Sequence, residues 1–123
     1  MTTRFLIVDD DPDLRYLVNV ALSRWGHQAI AAPTMAEARR ACAEDRPDVL
    51  LLDVSMPEMD GPTFLASLRA EALAPRHVYL LSALDPQELA ELADALGVRY
   101  LVKPFTLQGL RDGLADVLGP SAP

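Results

Sequence analysis

Two spacings of apolar residues alternate along this chain. Short continuous apolar runs, Arg4-Phe5-Leu6-Ile7-Val8, Val49-Leu50-Leu51-Leu52, His77 to Leu81 and Tyr100-Leu101-Val102, are separated by longer stretches with apolar residues every three or four positions. A continuous run of four or five suits a strand buried on both faces, and the wider spacing suits a helix with one apolar stripe. Leu14, Leu17, Val18, Ala21, Leu22 and Trp25 make the first stripe, with Asp11 as cap, Pro12 at the first helical position and Gly26 just past the end. His27 to Ala31 reads as a short, weak strand. Thr34 and Glu37 have capping-box spacing before an alanine-rich helix that runs to about Asp45.

The remaining chain repeats the alternation. Ser55 to Gly61 reads as a loop. Phe64, Leu65 and Leu68 mark the core side of a third helix. Asp85-Pro86 with Glu88 opens a fourth, with Leu89, Leu92, Ala93 and Leu96 inward and Gly97 closing it. Arg99 to Val102 is the fifth strand. Thr106 caps a last helix with Leu110, Leu114, Val117 and Leu118 inward, and Gly109 and Gly113 weaken it. Five strand–helix units predict a parallel α/β sheet covered by helices on both faces.

Three of the apolar runs end in charge: the first in Asp9-Asp10-Asp11, the second in Asp53, the last in Lys103-Pro104. Open parallel sheets bind ligands at the carboxyl ends of their strands, so these groups share one crevice. Carboxylates converging with an ammonium outline a magnesium-dependent phosphate site built around an aspartate. Lys103 is the only lysine among eleven Lys and Arg residues, and a lysine is a compact point charge where arginine is a planar fork.

Composition narrows the rest. The 123 residues suit one domain, and the net charge of −7 with no basic stripe argues against a nonspecific nucleic-acid or membrane surface. The single Cys42 cannot form an internal disulfide, which points to a reducing, cytoplasmic setting. Met1-Thr2-Thr3-Arg4 leads directly into a strand without a signal-peptide pattern, and no apolar stretch reaches membrane-spanning length. His27 and His77 have no ligand spacing around them and read as surface or strand-edge residues. Met56 and Met59 read as loop packing.

Laid out in order, these features resemble the receiver domain of bacterial two-component response regulators over nearly the whole chain, to about Leu118. The resemblance rests on Asp9-Asp10 after the first strand and on Leu50-Leu51-Leu52-Asp53-Val54-Ser55-Met56-Pro57-Glu58-Met59-Asp60-Gly61. It rests further on Ser82-Ala83 ending the fourth strand and on Tyr100 three residues before Lys103-Pro104-Phe105. It implies a flavodoxin-like (βα)5 fold with a five-stranded parallel sheet in the order 2-1-3-4-5. Residues 1–118 would form the receiver domain, and 119–123 a tail or the start of a linker.

The resemblance also implies roles. Asp53 is the phosphoacceptor. Asp10, Asp53 and the backbone carbonyl of Ser55 coordinate Mg2+, and Asp9 acts through the metal's water shell. Lys103 pairs with Asp53 and then with a phosphoryl oxygen. Ser82 with Ala83 binds the phosphoryl group, Tyr100 changes burial in the switch, and the Lys103–Pro104 bond is cis. Asp11 reads as a helix cap. Ser55 and Leu84 lie where receivers tune hydrolysis of the acyl phosphate, and neither offers a carboxylate or amide to orient water.

The implied partners are a histidine kinase or phosphotransfer protein and a downstream protein target or tethered output domain. Dimerisation through the fourth helix, fifth strand and fifth helix is a further expectation. The chain would be a signalling switch, not an enzyme in the ordinary sense, catalysing only its own phosphorylation and dephosphorylation. Two alternatives accompany this reading. One is a receiver-like binding module that works without phosphorylation. The other is a phosphohydrolase of the haloacid dehalogenase type, whose Asp-x-Asp element Asp9-Asp10-Asp11 also satisfies.

Overall fold

The computed structural model describes residues 3–119. Most of the expected tail, residues 120–123, and Met1 and Thr2 lie outside them. The elements run β1 (Arg4–Val8), α1 (Pro12–Arg24), β2 (Gln28–Ala32), α2 (Met35–Glu44), β3 (Val49–Asp53), α3 (Gly61–Ala70), β4 (His77–Ser82), α4 (Pro86–Leu96), β5 (Arg99–Val102), α5 (Leu107–Gly113) and α6 (Ala115–Leu118). All strand pairs are parallel, in the order β2-β1-β3-β4-β5. The chain winds outward from β1 to one edge, returns to β3 and winds to the other. The reversal between β1 and β3 opens the crevice in which such sheets bind ligands.

Strand side chains alternate between two apolar layers, as the pleat requires. Leu6, Val8, Leu50, Leu52 and Leu80 pack against Met35, Ala38, Phe64, Leu65, Leu68, Leu89 and Ala93 from α2, α3 and α4. Phe5, Ile7, Leu51, Leu81 and Leu101 pack against Val18, Leu22, Leu110, Leu114 and Leu118 from α1, α5 and α6. Every residue of β3 is buried, which explains its unbroken apolar run up to Asp53.

Side chains set the helix starts. Asp11 accepts the Asp13 N–H, Thr34 that of Glu37, Asp60 that of Thr63, Asp85 those of Gln87 and Glu88, and Thr106 that of Gly109. Each such cap contributes about 1 kcal/mol. Four starts at Asp11, Thr34, Asp85 and Thr106 match the sequence reading.

The structure departs from that reading in three places. The expected last helix is divided at Leu114, whose backbone leaves the helical region (φ −99°, ψ 8°). Leu101 presses so close to Gly113 that a Cβ there would lie 2.2 Å from its Cδ2. Leu114 and Leu118 nevertheless stay buried, so the inward stripe continues across the break. Leu17, expected on the core stripe of α1, is 38% exposed, because Val18, Ala21 and Leu22 already fill that face.

The third difference concerns His27, expected at the surface or a strand edge: it stands at the sheet's edge but is buried. It precedes β2, packs edge-on against the Phe5 ring and accepts the Thr3 N–H on Nδ1 at 3.1 Å. Burial pushes the imidazole below its ordinary value of 6.5. A protonated ring could not accept that bond. The neutral ring therefore contributes stability that is present above the unfolded pKa and lost as pH falls through it toward the lower folded value. Urea midpoints should fall between about pH 7 and pH 5 more steeply in the natural sequence than in His27→Asn, which keeps an acceptor but does not titrate there.

Candidate functional site

The carboxyl ends of β1, β3, β4 and β5 meet at one edge of the sheet. β1 delivers Asp9 and Asp10. Asp9 has no exposed surface, whereas Asp10 is exposed. Both Asp9 carboxylate oxygens are engaged: Oδ1 accepts the Asp11 N–H at 2.9 Å and Oδ2 accepts from Lys103 Nζ at 2.7 Å. The Arg15 guanidinium donates to the Asp9 carbonyl at 2.7 Å and secures the backbone behind it.

Asp53 ends β3 and is also buried. Its Oδ1 accepts the Ser55 N–H at 3.2 Å and lies 3.5 Å from Lys103 Nζ. The chain after it is tightly held. Val54 N–H donates to the Leu81 carbonyl at 3.0 Å, Gly61 N–H donates to the Val54 carbonyl at 2.8 Å, and Ser55 bridges to Asp60. Gly61 lies against the end of β3 itself: a Cβ there would sit 2.7 Å from the Asp53 carbonyl oxygen. Met56 is buried in the core, while Met59 is exposed.

β4 delivers Ser82, buried, whose Oγ accepts the Leu84 N–H at 3.0 Å. Lys103 N–H donates to the Ser82 carbonyl at 2.7 Å, which sets the lysine beside the serine. The Lys103–Pro104 bond is cis. Asp53, Ser55, Ser82, Ala83, Leu84 and Lys103 line an open depression of about 350 Å3. Tyr100 lies outside it, 40% exposed on β5.

One oxygen each from Asp9, Asp10 and Asp53 fall within 4.8 Å of one another. Burial and the nearby Asp9 charge push the Asp53 carboxyl above its ordinary value, and the Ser55 N–H and Lys103 only partly offset this. Burial alone would lower Lys103, but its contacts with Asp9 and Asp53 hold the ammonium above the ordinary lysine value. The structure thus refines one expectation. Lys103 spans both acids, and its shorter contact is to Asp9.

The donors present fit a hard cation. Asp10 and Asp53 Oδ2 accept no hydrogen bond among the described residues, and none ends on the Ser55 carbonyl oxygen. Carboxylate and carbonyl oxygens with room for water match the preference of Mg2+. Asp11 stands apart. It is exposed and spends its carboxylate on the cap of α1, so the second acid of the Asp-x-Asp pattern does not join the cluster.

Two site residues were not read from the sequence. Arg15 is one. Glu58 is the other: it sits in the β3–α3 loop and accepts the Met35 N–H at the start of α2 at 3.0 Å. Neither carries a local signal, because each acts through a contact that only the fold creates.

This geometry agrees with what the chain resembles among known proteins. The model of the response regulator receiver domain family matches residues 5–115. The transcriptional regulatory protein KdpE of Mycobacterium tuberculosis is 39% identical over 104 residues, 84% of this chain and 45% of that protein. Sporulation initiation phosphotransferase F of Bacillus subtilis is 29% identical over 119 residues, 96% of this chain and 95% of that protein. Among solved structures, the chemotaxis response regulator CheY4 of Vibrio cholerae aligns with a TM-score of 0.85 at 29% identity, covering 95% of this chain and 99% of that one.

The fold and the site define a signalling receiver of the two-component type, with the family's five parallel strands in the order 2-1-3-4-5. The chain belongs to the response regulator receiver domain family. It spans about half the length of the curated transcriptional regulators it matches.

The raised Asp53 pKa has a measurable consequence. The ionised carboxylate costs the metal-free fold stability above that raised value, and the cost disappears as pH falls through it toward 3.8. Asp53→Asn should therefore raise the unfolding free energy at neutral pH by roughly 1 kcal/mol, net of the lost Lys103 and Ser55 contacts. The gain should vanish near pH 4, as urea unfolding in chelator would record.

Proposed function

We propose that this chain is a Mg2+-dependent phosphorylation switch in which Asp53 accepts a phosphoryl group from the phosphohistidine of a histidine kinase or phosphotransfer protein. The observation that carries the reading is the acidic cluster with Lys103 set against it. Three carboxylates and one ammonium leave a net charge of −2, and one divalent cation cancels it. Asp10, Asp53 and the Ser55 carbonyl would hold the ion directly, and Asp9 would act through its water. Bound there, Mg2+ would neutralise charge on the transferring phosphoryl group.

The chain's own residues do the rest. An Asp53 oxygen attacks phosphorus, the P–N bond of the donor breaks, and its electron pair stays on the departing imidazole nitrogen. Lys103, already 3.5 Å from Asp53, meets a phosphoryl oxygen with a short movement. Ser82 can donate its hydroxyl hydrogen to another oxygen, with the Ala83 backbone alongside. Because Ser82 Oγ also accepts the Leu84 N–H, moving the hydroxyl draws on the loop that leads into α4. Tyr100 can then turn inward. The receiver performs no chemistry beyond its own phosphorylation and dephosphorylation. Ser55 and Leu84 bring no carboxylate or amide to the rim of the depression to orient an attacking water.

Two surfaces fit partners. Tyr16 and Leu17 on α1 and Leu107 at the start of α5 are exposed apolar side chains that offer the phosphodonor places to dock. The face of α4, β5 and α5 carries a depression of about 280 Å3 lined by residues including Ala93, Arg99 and Tyr100. It suits a downstream target, a tethered output domain or a second copy of the chain. Among the described residues no helix is long and apolar enough to cross a membrane. The buried Cys42 thiol, pushed up to about 11 by burial, fits a reducing cytoplasm.

Incubation with beryllofluoride or a small phosphodonor plus Mg2+ should give an adduct that mass spectrometry maps to Asp53 and that Asp53→Asn abolishes. Asp10→Ala should weaken Mg2+ binding strongly and Asp11→Ala hardly at all. Equal losses would reverse the assignment of ligand and cap.

The added phosphoryl charge, roughly −1.5 to −2 by analogy with other phosphoryl groups, shifts a two-state equilibrium only through the contacts it changes. NMR shifts on adding beryllofluoride should spread from residues 82–85 to 98–115 and shrink in Ser82→Ala. Shifts confined to the neighbourhood of Asp53 would refute the switch.

A further inference from the structure

Thr34 and Glu37 have the spacing of a reciprocal capping box, yet only half of one forms. Thr34 accepts the Glu37 N–H. The Met35 N–H, one position on and outside any capping box, goes to Glu58, which lies 23 residues further along the chain and on a different element. A first-turn N–H has no partner within its own helix, and a carboxylate there is favoured by the helix dipole.

The contact ties the β3–α3 loop at the point where nothing else does. The base of the loop is fixed by the Val54 and Gly61 hydrogen bonds and the Ser55–Asp60 bridge, and Met56 is sunk in the core. At the tip, Pro57, Glu58 and Met59 are all exposed. Among the described residues the Glu58 carboxylate makes the only side-chain hydrogen bond from this tip to another element. Beneath it, Met56 and Met35 belong to the same apolar cluster, so loop and helix already share a footing. Ser55 sits one residue before that footing, and among the described residues its carbonyl accepts no hydrogen bond.

We infer that Glu58 is a positioning residue for the metal site: by holding the loop tip on the first turn of α2, it fixes the Ser55 carbonyl in place beside Asp10 and Asp53. The inference rests on the Mg2+ reading given above. The contact also keeps the Glu58 charge on the helix terminus and away from a cluster that already holds three acids. By linkage the effect runs both ways. If the clamp favours the metal-competent loop, metal binding must tighten the clamp.

Mg2+ is titrated calorimetrically into the full chain, into Glu58→Gln and into Glu58→Ala, with a thermal melt of each. Amide exchange at Met35 is measured in the unaltered chain with and without Mg2+. Glu58→Gln keeps an acceptor oxygen and should bind within about twofold of the unaltered chain. Glu58→Ala should bind about fivefold more weakly, the order of effect of one lost hydrogen bond to a helix's first turn. Exchange at Met35 should slow when Mg2+ is added.

Equal affinity in Glu58→Ala would overturn the inference and leave the metal reading standing. Weaker binding with Met35 exchange indifferent to Mg2+ would also overturn it, since that pattern is a loss of general stability. If Glu58→Ala melts too low to titrate, Met35 exchange alone decides. An unaltered chain that binds no Mg2+ would instead overturn the metal reading, and this inference with it.

Discussion

The buried charge of Asp9 is the constraint around which the carboxyl edge of the sheet is organised. Asp9 has no exposed surface, and an unpaired carboxylate in that position would cost several kcal/mol. Its partner does not come from a neighbouring strand end. β1 lies between β2 and β3, whereas Lys103 follows β5 at the far edge. The ammonium must cross in front of β4 and β3 to reach Asp9, and on the way it passes Asp53 at 3.5 Å. A long flexible stem with a compact charge can make that reach and face two carboxylates. A planar guanidinium has a preferred fork that serves one. This gives a physical reason for the single lysine in a chain that otherwise uses arginine for positive charge.

The same arrangement leaves the site short of positive charge. Lys103 is committed most closely to Asp9, so Asp53 remains a carboxylate with its pKa pushed up by burial and by the Asp9 charge. A fold selected for stability alone would not gather acids in this way. Local conflicts of this kind are expected where a sequence gives up stability for function. Gly61 belongs to the same compromise. The close approach of α3 to the Asp53 carbonyl leaves no room for a side chain, and it fixes the backbone from which Asp53 projects.

How much of this is legible in the sequence depends on how far each feature reaches. Strands buried on both faces announce themselves as apolar runs, and the limits of β1, β3 and β5 follow directly. Caps such as Asp11, Thr34, Asp85 and Thr106 act within three residues, so local spacing reveals them. The ordered acids, serine and lysine are legible because topology brings all strand ends to one edge. Contacts made across the fold are not. The burial of His27 is one example, because nothing nearby in sequence shows that Phe5 and the Thr3 N–H enclose it. Glycine spacing marked the last helix as weak, but only the packing of Leu101 on Gly113 accompanies the actual break at Leu114. Which acid Lys103 approaches more closely is likewise a matter of sheet order and depth.

The proposed switch also has a direction, set by unequal anchoring on the two sides of Asp53. The β3–α3 loop is held by backbone hydrogen bonds, by Met56 in the core and by Glu58 on α2. Across the depression, the β4–α4 connection starts from a buried serine whose side chain, among the described residues, bonds only to Leu84 of the same loop, and Leu84 is exposed. Local rearrangement is easiest where few buried contacts must be broken. A new charge on Asp53 pulls on the donors around it on both sides. The side that yields is then the one with less to lose, which is the Ser82 side, next to the exposed Tyr100 and the α4–β5–α5 face. In this account the β3–α3 loop serves as the fixed wall of the site, so the proposed movement falls to the Ser82 side, toward the α4–β5–α5 face.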